Sequence, residues 1–454
     1  MSEIKPTVMK FGGTSVQDAE AFARVASIVA GERENAPVVV TSAMSKVTDA
    51  LLNAFELARK DEPQAAVESL ETHFERHLAV AKEFLSGGEA LAKFRGEIDK
   101  ARKELTDILD RTARRSLPLQ LLKDVVVAYG ELLSSRLLAE VLRSQNLKGK
   151  FVDSRRLIVT DDEHGAANPI WSETEKIVRL ELNSVLERGE IPVIGGFIAA
   201  SRSGETTTLG RGGSDYSAAL VGAALRAREI QIWTDVTGVL TCDPRICPEA
   251  RTIDVLSYEE AAELAYFGAK VLHPKTIKPA VDYSIPVRVC NSHQPLEKGT
   301  MVLQTSGVSP NKIKSIAHKT GITILRISSA RMLGAYGFMS ALFQIFERYR
   351  TVIDVISTSE VSVALTLDNT DSLEKIVAEV ERLGDVEIEH GQAVICVVGE
   401  GLRETSGLAS KLFSTIEDIN ISLISHGASS VNLTFVIKEE MVAEVIKRLH
   451  NSFF

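Results

Sequence analysis

Four short segments hold residue types that suit the handling of anions. Lys10 closes an apolar run and stands just before Gly12 and Gly13, with Thr14 and Ser15 following. Glycines there let backbone N–H groups approach phosphate oxygens, and the two hydroxyls can add donors as a helix begins. The lysine precedes the glycines, so this is not the GxxxxGK[ST] P-loop. A second glycine-rich turn, Gly210-Arg211-Gly212-Gly213-Ser214-Asp215, leads into an apolar stretch and sets one cation and one anion at a helix start. Ser214 or Asp215 alone would read as a helix cap, but a cap does not need three glycines and an arginine. The third segment runs from Trp233 through Thr234, Asp235 and Gly238 to Asp243 and Arg245, and would suit a nucleotide lying across a sheet edge. Its plain structural reading is a tight turn capped by Asp243 beside Pro244. In the fourth, Glu131 follows Gly130 and the apolar run 125–128; alone it would read as a solvated helix residue.

Lysine, arginine, glycine backbone and little histidine fit phosphoryl transfer to a carboxylate. An aspartate side chain, with pKa about 3.9, is already ionised at neutral pH and needs no general base. Catalysis then reduces to positioning two anions and neutralising charge on the moving group, for which Mg²⁺ is a further expected requirement.

The elements that must position these residues follow from the pattern of apolar runs. From Thr7 to about Pro295, strand-like runs alternate with helical stretches, which predicts an α/β domain with an open sheet between helices. Strands are expected at 7–11, 38–41, 193–194, 229–234 and 287–289, and helices over most of 51–115. The candidate residues then fall at strand ends, where open α/β sheets bind ligands. After a polar stretch at 294–314 the chain repeats itself. Strands at 324–327, 353–357 and 361–365 with helices at 340–349 and 372–383 are echoed by strands at 393–398, 421–425 and 431–435 with helices at 408–416 and 440–449. Two βαββα units, each closed by one more strand, are the signature of paired α+β sensing domains. The expected division is 1–295, a linker at 296–315, then 316–390 and 391–454.

At 454 residues the chain is too long for one ordinary core, in keeping with that division. A net charge of −9 spread along the chain argues against a general nucleic-acid binder. No apolar run approaches the roughly 20 residues of a membrane span, so a cytoplasmic location is expected. Cys242, Cys247, Cys290 and Cys396 include no CxxC and have no neighbouring histidine at zinc-ligand spacing, so reduced structural thiols are expected and no structural metal.

Taken together, KFGGTSV at 10–16, SAMSKVTDALL at 42–52, YGELLSSRLL at 129–138, TTTLGRGGSDYSAAL at 206–220, WTDVTGVLTCDPR at 233–245, FGAKVLHP at 267–274 and STSEVSVALTLD at 357–368 resemble the aspartate kinases across essentially the whole chain. The resemblance implies an amino-acid-kinase-type domain followed by tandem ACT domains, and transfer of the ATP γ-phosphate to the side-chain carboxylate of L-aspartate. That reaction opens lysine, threonine and methionine biosynthesis. Related glutamate and uridylate kinases would share the glycine turns without the paired repeat. The resemblance implies Lys10, Arg211 and Asp215 as catalytic residues and Thr48, Glu131, Arg211, Ser214 and Asp215 at the aspartate. Around the nucleotide it implies Lys10, Gly12, Gly13, Ser42, Thr234, Asp235, Leu240, Asp243, Arg245 and Lys270, with Mg²⁺ held mainly by ATP phosphates. His273 reads as packing. Arg211 suits bidentate pairing with the α-carboxylate, and Glu131 suits the ammonium group.

The same resemblance implies feedback by an end-product amino acid, lysine in preference to threonine, at Met332, Gly337, Phe338, Met339 and Asp354, and a homodimer through the ACT domains. An inactive amino-acid sensor of the same fold is the alternative of a different class. Departures from the family pattern occur at Lys46, where glycine is frequent, at Ala335 in place of serine, and at Thr351-Val352. No dinucleotide-binding unit is read at either end, so a fused homoserine dehydrogenase is not expected.

Overall fold

The apolar run Thr7–Phe11 lies inside an eight-stranded sheet in a computed structural model that describes residues 4–85, 88–268, 272, 274–305, 312–334 and 336–454. Its strand order is Gly149–Val152, Ile191–Gly195, Val38–Thr41, Thr7–Phe11, Glu229–Thr234, Val287–Asn291, Thr300–Leu303 and Val255–Ser257. All neighbours run parallel except Val287–Asn291 with Thr300–Leu303. Parallel strands covered on both faces become continuous apolar runs, which is why Val38–Thr41 is buried throughout. From Thr7–Phe11 the chain first builds outward on one side, through Val38–Thr41, and later returns on the other with Glu229–Thr234. Such a switch point leaves a crevice at the strands' carboxyl ends.

Long helices fill the stretch without strand signals. Val47–Arg59, Glu71–Phe84, Gly88–Ala113 and Leu119–Ser144 enclose a core that includes Phe55, Phe74, Phe94, Ile98, Leu105 and Leu137. A small sheet of Val159–Thr160, Ile198–Ser201 and Thr206–Thr208 precedes the second glycine turn. Its strands escaped the sequence reading because runs of two to four residues carry too little periodicity. This first unit comprises 1–239, 254–258 and 272–304.

The second unit comprises 240–253, 259–271 and 305–454. Its two repeats share a six-stranded sheet in the order Ile356–Thr358, Ser362–Leu367, Ile313–Ser328, Asp385–Gly399, Asn432–Lys438 and Leu423–His426. The additional strand of each repeat is one end of a long strand whose other end serves the other repeat. Ile313–Ser328 and Asp385–Gly399 pair antiparallel over their length, with register shifts between Lys319 and Ile324. Ile313 and Ile316 pack in the core of the second repeat, whereas Leu325 and Ile327 pack in that of the first. The strand expected at 353–357 is formed only over Ile356–Thr358; upstream, Asp354 and Val355 donate to the carbonyl and hydroxyl oxygens of Thr366.

Lys314, on the shared strand, donates to Glu260 at 2.9 Å with both side chains buried. Removing one member of a buried pair strands the other charge in a medium that solvates it poorly. Lys314→Met is therefore expected to cost about 3–5 kcal/mol of unfolding free energy in urea. Adding Glu260→Leu should recover most of the loss, and a Lys314→Met protein as stable as the parent would contradict this account.

Candidate active site

The first two strand ends and the second glycine turn converge on one cleft of about 440 Å³. Lys10, Gly13, Ser42, Thr48, Glu131 and the run 212–215 line it. Lys10 projects from the end of its strand and meets the Asp215 carboxylate at 2.7 Å, with both side chains mostly buried. The Ser42 hydroxyl, at the end of the neighbouring strand, donates to Ser214 Oγ at 3.1 Å. Ser45 N–H donates to the Gly13 carbonyl at 3.1 Å, tying the two strand-end loops together. A β-carbon on Gly13 would stand 2.9 Å from the Ala43 carbonyl, so the close approach requires glycine.

Ser214 and Asp215 sit in the first turn of the helix Gly213–Ala224, entered through Gly210 and Gly212, both at φ +73°. The free N–H groups of that turn and its positive dipole end face the cleft, a natural seat for an anion. Ser217 Oγ fixes the turn by accepting from Phe197 N–H and donating to the Gly213 carbonyl.

Glu131 reaches the cleft from the middle of the helix Leu119–Ser144. One carboxylate oxygen accepts from Ala43 N–H at 3.1 Å; the other is buried without a hydrogen-bond partner among the described residues. Burial pushes its pKa up to about 8, against a partial lowering by the Ala43 N–H. A bound cationic group would satisfy the free oxygen and favour the ionised form. Gly195 permits the helix to come this near the sheet, since a β-carbon there would stand 3.0 Å from that of Glu131.

One supporting residue behind the cleft was not legible in the sequence, and the departure from the family pattern at Lys46 takes its place in the cleft wall. Asp124, two helical turns before Glu131, is buried and accepts from Thr208 Oγ1, Gly165 N–H and the His164 ring, anchoring the hairpin that delivers the second glycine turn. A single aspartate in an apolar helix gives no signal of that task. Lys46 adopts a left-handed backbone, φ +67°, at the start of the helix Val47–Arg59, and lines the cleft. Glycine adopts that conformation freely, whereas a lysine pays roughly 1 kcal/mol.

The remaining expected residues lie elsewhere. Arg211 is exposed between the two left-handed glycines and has no ion pair among the described residues. Ser15 is buried and donates to Ser292 Oγ at 3.0 Å, which corrects its expected part as a phosphate donor; Thr14 is exposed. Thr234 and Asp235 stand at the end of the next strand and share a hydrogen bond of 3.1 Å. Leu240, Asp243 and Arg245 belong to the second unit, where Asp243 accepts from the N–H and guanidinium of Arg245. That guanidinium holds the Asp243 carboxyl below its ordinary range. Lys270, His273 and Ala335 lie outside the described residues.

Of the expected effector residues, Met332, Phe338 and Met339 pack against the first repeat's core, and Gly337 starts the helix Phe338–Arg348 at φ +85°. Asp354 lines a different hollow, of about 330 Å³, with Tyr266, Lys319, Arg350 and Asp368. Its carboxylate already receives the Lys319 ammonium at 3.1 Å and the Tyr266 hydroxyl at 2.5 Å. The described chain therefore does not gather the five into one pocket.

Comparison with known proteins accords with this geometry. Residues 5–291 match the amino acid kinase family and residues 395–453 the ACT domain. Lysine-sensitive aspartokinase 3 of Escherichia coli is 38% identical over 462 aligned residues, covering 100% of both chains. Aspartokinase 1 of Arabidopsis thaliana, a chloroplastic protein, is 36% identical over 98% of this chain and 80% of its own. Two crystal structures of E. coli aspartokinase III, both 37% identical, superpose over 99% of this chain. The R-state complex with aspartate and ADP has a TM-score of 0.83 over 100% of that chain, and the T-state complex with lysine and aspartate 0.84 over 99%.

Glu131 gives the ligand-free protein a pH signature. The folded chain keeps this proton up to about pH 8, whereas the unfolded chain loses it near the ordinary value of 4.5. Across that window the folded state holds more protons, so its stability falls as pH rises, by about 1.4 kcal/mol per unit for this group. Glu131→Gln should therefore gain on the parent in urea denaturation from about pH 5 to pH 8 and level off above. A pH-independent difference between the two proteins would show the carboxyl to be unshifted.

Proposed function

The chain belongs to the amino acid kinase family and within it to the aspartokinases, and from that premise we propose how its own residues carry out the reaction. The enzyme is an aspartate kinase. A side-chain carboxylate oxygen of L-aspartate attacks the γ-phosphorus of ATP; the bond to the β,γ-bridging oxygen breaks, and ADP leaves with its electron pair. The products are 4-phospho-L-aspartate and ADP. No proton has to move from the nucleophile, in keeping with a cleft whose described lining residues include no histidine.

The observation that carries this reading is the buried, half-satisfied Glu131 carboxylate beside two glycine-rich turns. It receives the substrate ammonium, while Arg211 clasps the α-carboxylate and Thr48 and Ser214 fix the rest of the molecule. Lys10 lies at the phosphates, with Gly12, Gly13 and Ser42 lining that part of the cleft. Asp215 holds the lysine ammonium in place until the nucleotide arrives. Thr234, Asp235, Leu240, Asp243, Arg245 and Lys270 are proposed around the nucleotide. Mg²⁺ would be held mainly by the phosphate oxygens of ATP, beside the Lys10–Asp215 pair. There it would supply neutralisation of charge on the phosphates.

Regulation is proposed through the second unit, with lysine as effector, as the lysine-sensitive E. coli relative suggests. Asp354 is suited to an ammonium group because it already binds one, that of Lys319. The other expected residues would join it across two copies of the chain. Leu333, Tyr336 and Val352 are exposed apolar side chains of the first repeat, at 67%, 103% and 62%, and a homodimer would cover them. An effector acts only through the difference in its affinity for two states, so lysine must bind the less active one more tightly. Four buried free thiols suit a cytoplasmic, reducing setting.

Initial rates of ADP formation test the chemistry. Turnover should require aspartate, with glutamate a poor replacement, and Lys10→Ala should lower kcat by about 10²–10³. Near-parental turnover in that variant would remove Lys10 from the mechanism. Lysine should inhibit the parent, and Asp354→Ala should shift the inhibitory concentration upward by at least about tenfold, the loss of one charged contact. If threonine inhibits and lysine does not, the effector assignment falls.

A further inference from the structure

Two thiols and an imidazole from opposite ends of the second unit meet in one buried spot. The segment after Leu240 closes on itself. Leu240 bridges Thr252, Thr241 N–H donates to the Arg251 carbonyl at 2.9 Å, and Ile246 and Cys247 N–H both donate to the Asp243 carbonyl at 3.0 Å. This compact loop turns Cys242 and Cys247 inward, against His450 on the C-terminal helix Val442–Phe453. All three residues are at most 4% exposed, and one ligand atom from each lies within 4.8 Å of the others.

The imidazole is held in place from two sides. The Thr241 hydroxyl meets Nε2 at 2.9 Å, and the ring stacks on Phe454 with centroids 4.8 Å apart. Histidine ligands are ordinarily oriented by such an outer contact. A fourth donor stands near, since Cys247 Sγ donates to Glu249 Oε2 at 3.4 Å. Plain packing of thiols in an apolar core would explain two buried cysteines. It does not explain an oriented imidazole beside both sulfurs and a carboxylate on that of Cys247.

We propose that Cys242, Cys247 and His450 bind one soft divalent cation, zinc by preference, with Glu249 or a water completing a tetrahedral set. Donor atoms around such an ion stand about 3.4–3.8 Å apart, so the present spacing needs a contraction of at most roughly 1 Å, within reach of side-chain rotation. Binding replaces two S–H bonds by two metal–sulfur bonds and releases two protons to solvent, with no change of oxidation state. Because both thiols must give up their protons to bind the ion, metal uptake should weaken as pH falls. The ion would staple the Thr241–Thr252 loop to the C-terminal helix. The imidazole lies too far along the chain for any cysteine–histidine spacing to have announced the site.

The full-length protein, purified without chelator and dialysed against metal-free buffer, should retain about one zinc per chain by mass spectrometry of the metal, as a closed thiolate site does. Cobalt added to stripped parent protein should give the near-ultraviolet thiolate-to-cobalt charge-transfer band. Cys247→Ser and His450→Gln should lose most of the zinc, and chelator should lower the Tm of the parent but not of Cys247→Ser. A parent chain that holds no zinc and gives no cobalt–thiolate band overturns the proposal, whatever the variants do. So does a parent whose mass and thiol count show Cys242 and Cys247 joined as a disulfide.

Discussion

A carboxylate placed inside a protein with one oxygen unsatisfied is expensive, and the arrangement around Glu131 shows what is organised to tolerate it. The long helix that carries it must lie almost against the sheet, which Gly195 allows, and the strand-end loop must lend it an N–H, which Ala43 does. The same loop is tied to Gly13, so the first glycine turn takes its shape partly from the element that satisfies Glu131. Without a cation the group keeps its proton at neutral pH; with one, it ionises. In the proposed reading the substrate supplies the missing charge, and the free enzyme holds a site that a cationic group completes.

Much of this architecture was legible in the sequence because it rests on local signals. Strands buried on both faces leave unbroken apolar runs, so Thr7–Phe11, Val38–Thr41 and Glu229–Thr234 lie where the runs predict. Glycines beside a lone lysine or arginine likewise mark anion-binding turns. Interactions between distant segments left no such mark. Asp124 gains its meaning from Thr208 and Gly165, and Ser15 loses its expected one to Ser292; neither partner is near in sequence. The same holds for Cys242, Cys247 and His450.

The repeat illustrates a different limit. Periodicity predicted two units each lacking one strand, and the symmetry of the pattern left open where the missing strands come from. They come from one pairing, because two long strands each run through both repeats. A consequence is that the repeats have no independent sheets. The register shifts between Lys319 and Ile324 mark the crossover from one core to the other, and Lys319 itself bridges Asp354 and Asp368 there.

If the effector binds at Asp354, as proposed, that position gives Lys319 a part in the response. An ammonium group arriving at Asp354 must either displace the Lys319 contact at 3.1 Å or share the carboxylate with it. Sharing would crowd two cations around one buried anion, which Asp368 can relieve only by drawing Lys319 toward itself, where it already lies 2.6 Å away. Displacement therefore has a ready acceptor, and the side chain that would move springs from the point where the shared strand changes register. In the proposed reading a cationic effector would exchange one ion pair for another at the junction of the two repeats. An uncharged effector such as threonine would have no ammonium on its side chain to drive that exchange, and would have to act through its α-amino group alone.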